Sequence, residues 1–69
     1  MNNTGEKILI ALEAVFDGEE KKADAILFNY LNNSAGIGEH PDVVEEARKQ
    51  IEAIEHARHC KDIVNSFKN

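Results

Sequence analysis

Apolar residues along the chain recur at three- and four-residue intervals, the spacing of helices that each bury one side. Ile8, Leu12 and Val15, with Ala11 beside them, define the buried side of a first helix over about 5–16. Asn3 or Thr4 can cap it, with Glu6 three residues after Asn3 in the capping-box position. A second run over about 19–33 places Ala23, Ile26, Leu27, Tyr30 and Leu31 on one side and Glu20, Lys21, Lys22 and Asp24 mostly elsewhere. Between the two, Asp17-Gly18 reads as a stop, because Asp17 is a good N-cap and Glu20 follows three residues on. The alternative is one kinked helix over 5–33, since Ile8, Leu12, Val15, Ile26 and Tyr30 stay in phase through Gly18. A mid-helix Gly costs only about 1 kcal/mol relative to Ala, but the local stop signals favour the break. In the continuous reading Ile10 and Phe28, five turns apart, form a thinner apolar strip on the opposite side, facing either solvent or a neighbour.

Residues 32–38 have loop composition, with Gly36 and Gly38. Pro41 to Phe67 then holds no Gly and no second Pro, and should form one helix of roughly 27 residues, about 40 Å long. Pro41 fits the first helical position, where its missing N–H is not needed. Acidic Asp42, Glu45 and Glu46 near its start and basic Arg58, Lys61 and Lys68 toward its end complement the helix dipole. Glu45 with Lys49, and Arg58 with Asp62, are expected i, i+4 pairs.

This last helix carries two apolar stripes. Val43, Val44, Ala47, Ile51 and Ile54 form the first, which ends at Arg58 and Lys61. Ala53, Ala57, Cys60, Ile63, Val64 and Phe67 form the second, rotated by roughly 140°. Supercoil drift of about 20° per heptad is too small to join them, so the helix needs two partners; another copy of the chain is the simplest supply of the second, and a bend in the preceding helices is the other. The expected fold is therefore all-α, one small domain over 1–69: an antiparallel helical hairpin or three-helix unit with a long C-terminal helix, assembling as a dimeric bundle. The expected interface is Ala57, Cys60, Ile63, Val64 and Phe67, together with Ile10 and Phe28.

Size points the same way. Of 29 hydrophobic residues eight are Ala, and a chain of 69 residues balances burial against chain entropy near zero unless disulfides, metal or an oligomer help. The single Cys60 excludes an intrachain disulfide and suits a reducing compartment. No run approaches 18 apolar residues, and MNNTGEK lacks the basic start and apolar run of a signal peptide, so the expectation is a cytoplasmic protein with no membrane partner. A net charge of −5, without basic clusters interleaved with aromatics, argues against nucleic acid as a partner.

Ligand chemistry is confined to EAIEHARHC. Glu52, His56 and Cys60 are spaced i, i+4, i+8 on one helix face, with Glu55 and His59 a second i, i+4 pair beside it. Two such donors can hold one metal and two chains could complete four ligands, which makes a metal site of Glu52, His56, Cys60 and His59 the alternative reading. Against it, the Glu-x-x-His spacing of di-iron bundles and the H-E-x-x-H of zinc proteases are absent, and solvated helix pairs with Cys60 as a small core residue account for the same pattern. No Ser or Cys has a recognisable base, Gly36-x-Gly38 lacks the context of a phosphate loop, and His40 before Pro41 reads as a loop residue. Neither catalysis nor a cofactor is expected.

Two pieces, ALEAVFDGEEKKADAILFNYL from Ala11 to Leu31 and GIGEHPDVVEE from Gly36 to Glu46, resemble segments of short helical proteins of tailed bacteriophages, including marine ones. The resemblance implies a small accessory, assembly or host-modulating protein acting in a host cytoplasm, with no site residues to carry over. The expected function is a non-enzymatic interaction or assembly module that forms a homodimer and presents helix faces to a further protein partner.

Overall fold

Two antiparallel helices, α1 (Asn3–Asn32) and α2 (Val43–Ser66), make up the hairpin seen in a computed structural model that describes residues 3–32 and 42–68. At 1.5 Å per residue their lengths are about 45 and 36 Å, and the molecule measures 52 × 14 × 14 Å. The loop composition at 33–38, His40 and the expected helix start at Pro41 lie outside the described residues.

The break expected at Asp17-Gly18 does not occur: α1 runs through it as one helix, so two helices replace the three-helix alternative. The residues that would have built the capping box are used across the hairpin. Asp17 pairs with Lys61 at 3.1 Å, and Glu20 pairs with Lys61 at 2.5 Å and Arg58 at 2.7 Å. Once tertiary charges claim both carboxylates, the local stop loses its side-chain caps and the cost of Gly18 is carried by packing. Gly18 has no positive φ, and a Cβ added there meets nothing within 4 Å. Gly18→Ala should therefore stabilise the protein by about 1 kcal/mol, read as a melting temperature higher by roughly 4–8 °C; a lower one would mean that α1 needs the glycine.

The second helix begins two residues later than its sequence suggests, at Val43. Asp42 is its N-cap, with the carboxylate accepting from the Glu45 N–H at 2.8 Å. At the far end the turn tightens, Phe67 N–H donating to Val64 O and Lys68 N–H to Asn65 O, each at 3.1 Å. Surface pairing is also redistributed. Arg48 bridges Glu45 and Glu52, Lys49 takes Glu46 rather than Glu45, and Arg58 reaches across to Glu20 in place of Asp62.

The helices meet along a seam with alternating steps of three and four. On α1 it runs Leu9, Glu13, Phe16, Glu20, Ala23, Leu27, Tyr30; on α2 it runs Val43, Ala47, Gln50, Ile54, Ala57, Lys61, Val64, Lys68. All of these are buried or half-buried. The seam corrects the expected faces. Ile8, Leu12 and Val15 lie beside it and are exposed, Ile8 and Val15 each by 54%, and Leu31, Val44 and Ile51 are exposed as well. The α2 seam takes Val43, Ala47 and Ile54 from the first expected stripe and Ala57 and Val64 from the second, so the two stripes are the two sides of one continuous packing line. Within it Ala23, Ala57 and Val64 are the buried hydrophobic residues, and among the described residues no large side chain is fully buried. Small side chains let the helices approach closely but withdraw little apolar area.

Candidate functional site

The polar residues of the seam form a ladder of ion pairs, with every acid on α1 and every base on α2. Lys68 Nζ lies 2.6 Å from Glu13, Lys61 Nζ bridges Asp17 and Glu20, and Arg58 Nε donates to Glu20 Oε2. Seven residues forward, from Glu13 to Glu20, match seven back, from Lys68 to Lys61, so the pairs fix an antiparallel register. Glu20 is the buried member. Its Oε1 has no hydrogen bond of good geometry, so what compensates it is the Lys61 charge at 2.5 Å.

Lys61, and after it Arg58, hold the Glu20 carboxyl down from its ordinary 4.5 to about 2. Asp17 is lowered by Lys61 and then Lys21, and Lys61 is raised by Glu20 and then Asp17. A lowered carboxylate stabilises the fold fully above its unfolded pKa and loses that contribution as pH falls toward its folded one; a raised lysine does so below its unfolded pKa and loses it as pH climbs past its folded one. The ladder thus supports the hairpin between about pH 4.5 and 10.5. Thermal melting should fall steadily between pH 4.5 and 2, and Glu20→Gln, less stable at neutral pH, should show a shallower acid slope. An unchanged slope in that variant would remove Glu20 from the ladder's energetics.

The two sides of the hairpin differ. One groove is walled by Glu19, Lys22, Ala23 and Ile26 of α1 with Gln50, Ala53 and His56 of α2. Helical spacing puts Ile8, Leu12 and Val15 on the same flank of α1 as Glu19 and Ile26, and Cys60, Ile63 and Phe67 on the same flank of α2 as Ala53 and His56. This front face is apolar toward the chain ends, with Phe67 62% exposed, and more polar toward the connection between the helices. On the opposite side lies a groove of Ile10, Glu13, Ala14, Asp17 and Lys61, together with the Arg58–Glu20 pair. Phe28, Val44 and Ile51 belong to this back face by spacing, and Val44 is 81% exposed.

The expected interface set is therefore divided three ways. Ile63 and Phe67 are exposed on the front with half-buried Cys60, Ala57 and Val64 are covered by α1 of the same chain, and Ile10 and Phe28 are exposed on the back. Ile8, Leu12 and Val15 join the front face although their sequence pattern suggested a core. The expected metal ligands are not brought together. Glu52 is held by Arg48 at 2.6 Å, Cys60 Sγ sits 3.6 Å from His56 Nε2, and no group of three or more His, Cys, Asp or Glu among the described residues is placed to hold a metal. His56 and Cys60 alone leave a tetrahedral ion two donors short. Among the described residues no helix is long and apolar enough to cross a membrane. Comparison with family models, curated proteins and solved structures finds no match for this chain.

Proposed function

We propose that this chain is a non-enzymatic helical interaction or assembly module, working as a homodimer in the cytoplasm, and that the front face is its working surface. The observation that carries the reading is the exposure of Ile8, Leu12, Val15, Ile63 and Phe67 on a hairpin in which no large side chain among the described residues is fully buried. Covering a half-exposed side chain of this size contributes about 1 kcal/mol, so these five offer on the order of 5 kcal/mol per copy. That is comparable with the whole stability of a small domain. An apolar patch of this extent is the usual mark of a protein interface. The accessory or assembly role in a host cytoplasm that the resemblance of residues 11–31 and 36–46 to tailed-phage segments implies is part of the proposal.

Sedimentation velocity over a concentration series tests the reading. A dimer or larger species at micromolar concentration is expected, and a stable, well-folded monomer throughout would overturn it.

A further inference from the structure

We infer that the occupant of the front face is a second copy of this chain, packed so that the two-fold axis runs parallel to the helices and both α1-to-α2 connections lie at one end of a four-helix bundle. The inference rests on the homodimer reading and adds the orientation in which the two copies pack.

The register of the hairpin decides the orientation. The Glu13–Lys68 and Glu20–Lys61 pairs set which residues of α1 and α2 stand at the same level. A two-fold axis parallel to the helices leaves those levels unchanged and lays α1 of each copy against α2 of the other. Along the front flanks Leu12 then meets Phe67, Val15 meets Ile63, Glu19 meets Cys60, Lys22 meets His56 and Ile26 meets Ala53. Apolar residues face apolar ones in three of these five layers, and no acid faces an acid. An axis perpendicular to the helices reverses the levels. Leu12 would then meet Ile26, Ala53 would meet Phe67 and Cys60 its own equivalent, but Val15 would meet Lys22, His56 would meet Ile63 and Glu19 would meet its own equivalent, which opposes like charges in a closing interface.

Area agrees with full overlap. A face of 52 × 14 Å is close to the roughly 800 Å² that each partner contributes to a stable interface. Sliding the copies until only their chain-end halves overlap would use about half of it. The front face also carries acidic and basic groups together, Glu19 beside Lys22, so a copy of itself meets no single-sign field.

Disulfide trapping tests the arrangement. In a Cys60→Ser background, chains carrying Val15→Cys are mixed with chains carrying Ile63→Cys, refolded together and oxidised. The mixed pair should link in high yield while neither variant links to itself. A second pair one layer away, Leu12→Cys with Phe67→Cys, should behave the same way, which guards against one substitution failing to fold. The native chain, oxidised as a dimer, should form little Cys60–Cys60 disulfide, because the two thiols stand diagonally across the bundle, beyond the roughly 7 Å between Cα atoms that a disulfide tolerates. A native dimer that links Cys60 to Cys60, or fails to trap either mixed pair, overturns the parallel axis and leaves the interaction reading standing. A native monomer at every concentration overturns both.

Discussion

Ile63→Asp is expected to convert the protein to a monomer and to lower its melting temperature at working concentration. In the lone hairpin this side chain is 46% exposed, and a charge at such a position changes stability by no more than about 0.5 kcal/mol. In the proposed four-helix bundle the same carboxylate would be enclosed among apolar side chains without a partner, and each copy would carry one. A two-fold interface repeats the penalty, so association should weaken at least about a hundredfold, equivalent to roughly 2.7 kcal/mol. Phe67→Asp should act in the same direction, whereas Phe28→Asp on the back face should leave the dimer intact. Sedimentation of the three variants side by side checks this. Equal loss of association from the back-face variant would move the interface to the other side.

Ala57→Leu should cost about 1–3 kcal/mol through overpacking. Ala57 is fully enclosed in the seam, next to Arg58 in sequence and one turn from Lys61, both of which pair with Glu20. A leucine there must push α1 away, which loosens the ion pairs on the same stretch of seam. Ala25→Leu, on an exposed position of α1, controls for helix propensity and should fall within about 0.5 kcal/mol of the parent. Chemical denaturation measured at one protein concentration decides it; two leucines that behave alike would mean that the seam leaves room at Ala57.

The all-helical class and the hairpin were legible in the apolar spacing and in the loop composition after Asn32, because both depend on local preferences. The seam was not. Periodicity identifies apolar faces, and in this protein the line between the helices includes Glu13, Glu20, Gln50, Lys61 and Lys68, while Ile8, Leu12 and Val15 lie beside it. A signal was nevertheless present: acids at Glu13 and Glu20 and bases at Lys61 and Lys68 share one seven-residue interval, the spacing of an antiparallel ion ladder. Gly18 misled for a related reason, since Asp17 and Glu20 look like a capping box until partners far away in sequence claim them. The apolar stripe of the last helix puts Ile63 and Phe67 outward, and both are exposed in the hairpin. Ala57 and Val64 share a stripe with Ile63 and Phe67 by spacing alone, and the hairpin splits that stripe between seam and front face.

Thermal unfolding of the native chain, followed by helicity over a wide dilution series, tests most directly whether this hairpin is half of a larger fold. If the front face closes on a second molecule, the melting temperature climbs as the protein is concentrated and the transition at the lowest concentration is broad and early. A sharp transition at one temperature across the whole series would show that a single copy holds itself together, and would contradict the account.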